Sequence, residues 1–420
     1  MKFQILSIVK RVGNNSIFSS FLNLSSISVS NILLLILLHP ILNRKIGEAY
    51  GMFIVANQFA MLIGIIINYG TNQSGIKDIA LAKDDKEQRA IEFYNVLVVR
   101  ALIFVFFAIA MLVGNSMNIH NYSYFFLAVP LMFAEVINPL FLYIGIERLI
   151  MFNIINMSIK LAVILSVIFF INGPGDAERV NLFIGVIHIF GYFFLIIYAS
   201  VKFGLPLRIR LLNYTELLKS NFYLVSNGVS VHLQQSLMVF AIYRWGSAGW
   251  LTAYSVGDKI IWSVRLLIIS ISSAIYPRAA LVYNESKQSF INMKERYNKL
   301  LALCFGMLSL AFLIFAPIIV RIYTGEDNQT AVLFLRLMSF SPLLAALNAL
   351  NILHLLISNQ NKQILKIGLL LLITSLCLSG FAIYSMHIFL VGIYAAVMEG
   401  LALIYYTKRL SMDKYGDSRY

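Results

Sequence analysis

The sequence predicts an all-α integral membrane protein with twelve transmembrane helices. Of its 420 residues, 60% are apolar and only 12% are charged, whereas a soluble domain has roughly 45–50% apolar and about 25% charged residues. The mean hydropathy is +0.80. A water-soluble surface cannot be built from this composition, and the links between the apolar runs are too short to hold a separate folded domain.

Each transmembrane helix needs about 20 mostly apolar residues. Cutting the chain at charge clusters and turn residues predicts twelve such segments. They lie near residues 17–38, 49–69, 95–114, 122–145, 152–172, 180–200, 221–243, 250–276, 299–320, 330–357, 363–384 and 388–407. Pro130, Pro139 and Pro342 fall within these segments and predict bends, because proline removes a backbone hydrogen bond.

The distribution of basic residues predicts the orientation. Most of the 33 Lys and Arg residues lie in links on one side of the predicted spans, and the other side holds Arg44, Lys45, Arg179, Arg244 and Arg321. Because cytoplasmic loops carry the excess of Lys and Arg, both termini are predicted to be cytoplasmic. The same rule explains the net charge of +14 without a nucleic-acid partner.

Two short segments recur in the second half of the chain. Residues 23–30 (NLSSISVS) align with 223–230 (YLVSNGVS), and residues 46–56 align with 245–255 at almost the same offset. These matches predict a duplication. The expected architecture is an N-terminal six-helix lobe at 1–200, a cytoplasmic linker at 201–220 and a C-terminal six-helix lobe with a short tail at 221–420. A pseudo-two-fold axis along the membrane normal would relate the lobes, with a cavity between them.

Sequence signatures of nucleotide, cofactor and metal binding do not occur. The chain has no GxxxxGK[ST] phosphate loop, no GxGxxG turn, no HExxH motif and no paired CxxC motif. We therefore expect no cofactor and no metal ion, and an ATP-driven pump would need another subunit.

Polar residues recur at helical spacing on the first and seventh predicted spans, where each set occupies one face of its helix. Two interpretations are open. Small polar residues allow membrane helices to pack closely, or the two sets form a shared wall of a hydrated cavity. The sets are Ser16, Ser19, Asn23, Ser26 and Ser30, and Tyr223, Asn227, Ser230 and Gln234.

Eight charged residues lie at least five residues from the ends of predicted spans, where an unpaired charge costs at least about 2.5–3.5 kcal/mol. Arg100 and Arg336 lie near span ends, from which a long side chain reaches the interface. The acidic residues are either structural partners of the bases or groups that take up protons. Asp258 and Arg265 are seven residues apart and share a helix face. The eight are Arg100, Lys160, Lys259, Arg265, Arg336, Glu135, Asp258 and Glu399.

Three segments of the chain resemble a known family. They are residues 46–80, which contain NYGTNQSGIKDIA, residues 138–155, which contain IGIERL, and residues 245–281, which contain AYSVGDKI and YPRAAL. They resemble Wzx-type flippases of polysaccharide repeat units, within the superfamily of multidrug/oligosaccharidyl-lipid/polysaccharide exporters. The similarity extends over nearly the whole chain.

The resemblance implies a transporter and not an enzyme. Such a protein moves an undecaprenyl-pyrophosphate-linked oligosaccharide, the repeat unit of O-antigen or a related polysaccharide, from the cytoplasmic to the periplasmic leaflet of the bacterial inner membrane by alternating access. A polysaccharide polymerase and a chain-length regulator are the expected protein partners. The excess of bases over acids within the spans suits this anionic cargo and predicts a cationic cavity.

The expected roles of individual residues follow from charge and hydrogen-bonding capacity. Basic residues would attract the diphosphate, polar residues would bind sugar hydroxyls, and acidic residues would couple transport to protons. The basic set is Lys160, Lys259 and Arg265, with Arg100 at the cytoplasmic opening; the polar set is Asn23, Ser26, Asn227 and Gln234; the acidic set is Glu135, Asp258 and Glu399.

Three alternative functions are open to a membrane protein of this kind. The first alternative is a cation-coupled multidrug exporter of the same superfamily. The second is a membrane polysaccharide polymerase, which the short predicted periplasmic links disfavour because polymerases usually carry a large periplasmic loop. The third is a purely structural membrane component, which the charges within the spans disfavour.

Overall fold

A computed structural model describes residues 16–82, 84–117, 120–208, 214–358 and 360–416. Within these ranges the side chains of residues 16–29, 33, 214–217, 220, 274, 277, 361 and 412–416 are not described. The described residues are almost entirely helical, and they contain no β-strand. Hydrocarbon offers no water to bond with the backbone, so a spanning segment satisfies its N–H and C=O groups within its own helix.

Sixteen α-helices follow one another along the described chain, with a 3₁₀ turn at Pro174–Arg179. They are α1 Ser16–Ile46, α2 Ala49–Asn68, α3 Thr71–Leu81, α4 Lys86–Ser116, α5 Tyr122–Phe126, α6 Val129–Val136, α7 Leu140–Gly145, α8 Leu149–Phe170, α9 Val180–Phe203, α10 Tyr214–Trp245, α11 Ala248–Glu285, α12 Lys287–Thr324, α13 Gln329–Met338, α14 Ser341–Ile357, α15 Asn361–Tyr384 and α16 Ile388–Gly416.

Helices occur at each of the twelve predicted segments, although not all of these helices are long and apolar enough to cross a membrane. Among the described residues, nine helical segments are long and apolar enough to cross a membrane, and α11 makes ten if it counts as one bent span. Helices α1 and α10 are not among them. The chain is therefore a multi-pass membrane protein, and a total of twelve spans stays a prediction.

The predicted bends at proline appear as breaks between helices. The predicted span at 122–145 is divided into α5, α6 and α7, with Pro130 in the first turn of α6 and Pro139 directly before α7. Pro342 lies in the first turn of α14, after α13 has ended at Met338. Proline is tolerated at the first helical positions because the N–H it lacks has no partner within the helix there.

The chain forms two compact units. Unit 1 comprises the described residues of Met1–Leu34, Ile63–Ser166 and Asn181–Val225, and unit 2 comprises those of Leu35–Leu62, Val167–Val180 and Ser226–Tyr420. In unit 1, α3 packs on α7. In unit 2, α14 packs against α11, α12 and α16. The predicted division into lobes at 1–200 and 221–420 stays a prediction.

Buried hydrogen bonds attach residues 35–62 to the rest of unit 2. The Thr252 hydroxyl donates to the Glu48 carbonyl at 2.7 Å and accepts from the Gly51 N–H at 3.3 Å. Nδ1 of His39 lies 2.9 Å from the hydroxyl of the fully buried Tyr50, and this hydroxyl lies 3.2 Å from the hydroxyl of Tyr323 in α12. Polar groups removed from water need such partners, so these bonds fix where α1 and α2 meet the helices of unit 2.

Close packing in unit 1 depends on the absence of a side chain at Gly185 of α9. A Cβ at this position would lie 2.3 Å from the Leu131 backbone nitrogen and 2.5 Å from the Pro130 carbonyl carbon. Both are backbone atoms at the start of α6, so rotation of a side chain cannot relieve the clash. Small residues are common where membrane helices approach closely.

We predict that Gly185→Ala lowers the stability of the folded protein by about 1–3 kcal/mol, the usual cost of overpacking. Gly380→Ala is the matched control, because a Cβ at Gly380 of α15 meets nothing within 4 Å. Thermal denaturation of the purified full chain in detergent measures both. Equal melting temperatures for the two variants would contradict the close approach of α6 and α9.

Candidate functional site

A cavity of about 370 Å³ opens within unit 2. Helices α10, α11, α14, α15 and α16 contribute its walls. The lining combines three charged side chains with aromatic rings and amides: Asp258, Arg265 and Glu399, then Tyr254, Trp262 and Tyr394, then Gln234, Gln235 and Asn348. Aromatic and aliphatic walls with a few polar groups are typical of ligand-binding cavities.

Helix α11 directs one of its faces into this cavity. Asp258, Trp262 and Arg265 are separated by four and then three residues, which places them along a single stripe of the helix. The prediction that Asp258 and Arg265 share a helix face is confirmed, because both line the cavity. The guanidinium of Arg265 also lies over the Trp262 ring, 5.6 Å from its centroid.

The ion-pair partner of Arg265 is Glu399 of α16. Both side chains are mostly buried, with 22% and 15% of their surfaces exposed. Asp258 lies on the same face of α11, and it forms an ion pair with its neighbour Lys259, with 3.5 Å between the carboxylate oxygen and Nζ. Seven residues of α-helix rise about 10 Å, so a group on an adjacent helix reaches Arg265 more easily than Asp258 does.

The charge of this cavity differs from the predicted excess of positive charge. Two carboxylates and one guanidinium line it. Lys259 is 6% exposed and is not part of the lining. The numbers of basic and acidic residues in the spans can be read from the sequence. Which of these side chains line the cavity depends on how the helices pack, and the sequence does not reveal it.

Amides and rings of the cavity supply hydrogen-bonding groups. The Gln234 amide donates to the Gly368 carbonyl at 2.8 Å, and the Tyr394 hydroxyl donates to the Gln234 backbone carbonyl at 3.1 Å. Asn348 is 4% exposed, and its Oδ1 has no hydrogen-bond partner within the described part of the chain. A buried amide oxygen without a partner is an unfavourable arrangement unless a water or a ligand completes it.

Four residues of the cavity lining were not predicted from the sequence: Asn348, Tyr254, Trp262 and Tyr394. Asn348 carries a detectable signal, because an amide in the middle of a predicted span is costly without a partner. The three aromatic residues carry no such signal. Aromatic side chains occur throughout the spans, and only their position in the fold separates a cavity wall from a lipid-facing surface.

Lys160 of α8 belongs to a separate polar cluster within unit 1. Its ammonium donates to the hydroxyl of Ser30 at 2.9 Å and to the side-chain oxygen of Asn31, and the Asn156 amide also donates to Ser30 at 3.2 Å. The side chain is 5% exposed. No carboxylate forms an ion pair with Lys160 in the described ranges, so neutral oxygens alone stabilise its charge.

Arg100 of α4 has no exposed surface, which contradicts its expected place at a cytoplasmic opening in this conformation. Its guanidinium donates to Thr71 Oγ1 at 2.8 Å, to Asn72 Oδ1 at 2.9 Å and to the Asn138 carbonyl at 2.9 Å. It also lies 5.0 Å from the centroid of the Phe141 ring. Arg100 therefore joins α3, α4 and the α6–α7 break.

Two other predicted site residues, Glu135 and Asn227, lie outside the cavity lining. Glu135 is half-buried in unit 1, accepts from the Asn138 amide at 3.4 Å and packs on Gly64. Asn227 of α10 is half-buried next to Gly368. The side chains of Asn23 and Ser26 lie outside the described residues.

We predict that Arg100→Lys destabilises the protein, because lysine keeps the charge but cannot reach these three acceptors, which lie on two segments, at once. Each buried acceptor left without a partner costs roughly 1–3 kcal/mol. Arg208→Lys is the matched control, since Arg208 is exposed and its one ion-pair partner within the described residues is Glu87, at 3.4 Å. Melting temperatures of the purified full chains give the comparison, and an unchanged value for Arg100→Lys would refute this structural role.

Comparison with known proteins relates the chain to one family. Residues 18–282 match the family described as "Polysaccharide biosynthesis protein". The protein named "Putative O-antigen transporter" in Escherichia coli (strain K12) is 25% identical over 359 residues, covering 82% of this chain and 84% of its own length. A protein of the same name in Shigella dysenteriae is 21% identical over 319 residues, covering 73% and 77%.

Solved structures share the fold. An inward-facing multidrug resistance MATE family transporter of the MOP superfamily superimposes with a TM-score of 0.71 over 96% of both chains, at 16% identity. An outward-facing transporter of that family gives a TM-score of 0.64 at 14% identity, over 96% of this chain and 98% of its own. At these identities the likeness concerns the fold alone.

The family match extends over more than half of the sequence and includes α1 to α10 and most of α11. It confirms the resemblance to polysaccharide exporters at the level of the family. This chain is a multi-pass membrane protein with a MATE-type fold that belongs to the polysaccharide biosynthesis protein family.

Proposed function

We propose that the chain is a flippase that moves an undecaprenyl-pyrophosphate-linked oligosaccharide, the repeat unit of O-antigen or a related polysaccharide, to the periplasmic leaflet of the bacterial inner membrane. The observation that carries this proposal is the family match over residues 18–282. The two relatives named as O-antigen transporters support it, because their similarity covers most of this chain.

The chemistry of the cavity in unit 2 suits the polar part of such a substrate. Arg265 offers a planar guanidinium, whose fork of donors matches the geometry of phosphate oxygens. Trp262 and Tyr394 offer flat apolar surfaces to a sugar ring, and Gln234 and Asn348 offer amides to its hydroxyl groups. The polyprenyl tail would stay in the lipid, since only the charged and hydroxylated portions need shelter from hydrocarbon.

The other predicted site residues take different places in this proposal. Lys160 remains a proposed contact for the diphosphate, because its present partners are neutral oxygens. Lys259 balances Asp258, and Arg100 holds unit 1 together. Asn23, Ser26 and Asn227 remain proposed contacts for the glycan, and Glu135, Asp258 and Glu399 remain proposed sites of coupling to protons.

The proposal includes the predicted architecture. Twelve spans would form lobes at 1–200 and 221–420, joined by a cytoplasmic linker at 201–220, with both termini in the cytoplasm. The lobes would be related by a pseudo-two-fold axis along the membrane normal and would expose the substrate site to each side of the membrane in turn. A polysaccharide polymerase and a chain-length regulator would act on the exported unit.

A cation-coupled multidrug exporter is the second candidate, and one observation favours it. Two carboxylates line the cavity against one guanidinium, an arrangement that attracts cationic ligands when the carboxylates are ionised. The flippase nevertheless explains the family match and both named relatives, so it stands first.

We predict that Arg265→Ala abolishes most surface polysaccharide when it replaces the wild-type gene, because the diphosphate loses its guanidinium partner. Arg336→Ala is the matched control, since Arg336 lies outside the cavity lining and donates to the Leu313 carbonyl. Electrophoresis of extracted polysaccharide measures the outcome, with immunoblotting of membranes to compare protein amounts. Full polysaccharide in the Arg265→Ala strain would remove Arg265 from the proposed site.

A deletion strain separates the two candidate functions. We expect loss of the gene to remove surface polysaccharide. When an unrelated flippase restores normal polysaccharide in the deletion strain, we expect the inhibitory concentrations of cationic dyes and drugs to equal those of the wild-type strain. Increased drug sensitivity that persists after such restoration would favour the multidrug exporter.

A further inference from the structure

Among the described residues, one guanidinium lines the cavity, and it is already bound to a carboxylate of the same chain. Arg265 and Glu399 form an ion pair across α11 and α16, and both side chains line the cavity. A diphosphate that approaches Arg265 therefore meets Glu399 in the position that a phosphate oxygen would take. Anion binding and the internal ion pair exclude one another.

We infer that an anionic phosphate ligand binds Arg265 by displacing Glu399, and that the displaced Glu399 carboxylate takes up one proton from water. This inference rests on the proposed function, because it concerns the same site and the same class of ligand. The proton returns to water when the anion leaves and the ion pair forms again. No covalent bond to the ligand is made or broken.

The surroundings of Glu399 explain why the displaced carboxylate binds a proton. Its side chain is only 15% exposed, and a carboxylate in such a site is unfavourable without a positive partner. After displacement, Arg265 is occupied by the ligand, and the added phosphate charge lies nearby. Protonation of Glu399 is the least costly way to remove its negative charge from beside the bound phosphate.

Among the described residues that line the cavity with Glu399, no cation other than Arg265 is present. Helix α13 also packs on α16, and its Arg336 is exposed and donates to the Leu313 carbonyl. Helix α11 contributes Tyr254, Asp258 and Arg265, and α16 itself contributes Tyr394 and Tyr406. The other walls are neutral, with Gln234 and Gln235 from α10, Asn348 from α14 and Leu371 from α15. Lys259 is paired with Asp258 and lies outside the lining.

Proton uptake makes the affinity of the site depend on pH. The complex holds one more proton than the empty protein, so the affinity for the anion rises as the pH falls. The largest effect is about tenfold for each pH unit, reached where Glu399 is ionised in the empty protein and protonated in the complex. The coupling is reciprocal, since protonation of Glu399 also frees Arg265 for the anion.

Calorimetry on the wild-type full chain in lipid nanodiscs tests the inference, with farnesyl pyrophosphate as the probe. Titrations at one pH in two buffers of different ionisation enthalpy count the protons taken up. We expect up to one proton per anion beyond the uptake by the probe itself, and tighter binding at pH 6.5 than at pH 8.0. This measurement uses the wild-type protein, so its result does not depend on whether a variant folds.

Glu399→Gln distinguishes proton uptake by the Glu399 carboxylate from proton uptake by the probe, because the same probe is used with both proteins. Glutamine preserves the shape of the side chain but competes only weakly for Arg265. We expect this variant to bind the probe at least about tenfold more tightly than wild type at pH 8.0, a gain of 1.4 kcal/mol, and to lose the extra proton uptake. Glu326→Gln, which changes an exposed carboxylate away from the cavity, is the matched control and should behave as wild type.

Two further variants distinguish the possible results. Asp258→Asn should retain the extra proton uptake if Glu399 is the group that binds the proton. Arg265→Gln should lose probe binding at every pH. If Arg265→Gln loses binding but Glu399→Gln matches wild type or binds more weakly, competition by Glu399 is refuted while the proposed function stands. If wild type and Glu399→Gln both fail to bind the probe, the anion site is refuted, and with it the role of Arg265 in the proposed function.

Discussion

A charged side chain inside a membrane protein is stable only when neighbouring groups satisfy it, and this constraint organises both units of the structure. The penalty for an unsatisfied charge at the centre of a bilayer is at least about 2.5–3.5 kcal/mol. Arg100 meets the requirement with neutral oxygens and an aromatic ring, Lys160 with neutral oxygens, and Arg265 with the carboxylate of Glu399. Each solution has different consequences for function.

The difference lies in what surrounds each charge. Arg100 has no exposed surface, and its acceptors belong to helix ends and a helix break, so its bonds are part of the framework of unit 1. Arg265 and Glu399 line a cavity that leaves room for a ligand. A pair in that position is stable in the empty site and is open to exchange with another anion. The first arrangement supports the fold, and the second suits reversible binding.

Several features of the fold were predictable because they depend on local sequence. The helical segments follow from runs of apolar residues, and the breaks at Pro130, Pro139 and Pro342 follow from the missing N–H of proline. The common face of Asp258 and Arg265 follows from the period of the α-helix. The partner of Arg265 was not predictable in this way, because Glu399 lies on another helix, far along the chain.

The amino-acid sequence by itself determined the membrane class, the helical segments and the family, because composition, hydrophobic period and motif similarity are properties of the chain read in order. Tertiary structure alone decided which charges face the cavity, since the fold brings Arg265 of α11 to Glu399 of α16 and leaves Lys259 outside the lining. It also decided that Asn348 and the aromatic rings form the cavity wall. These outcomes depend on contacts between distant helices, whose energies are set by packing and burial and are not written in any local pattern.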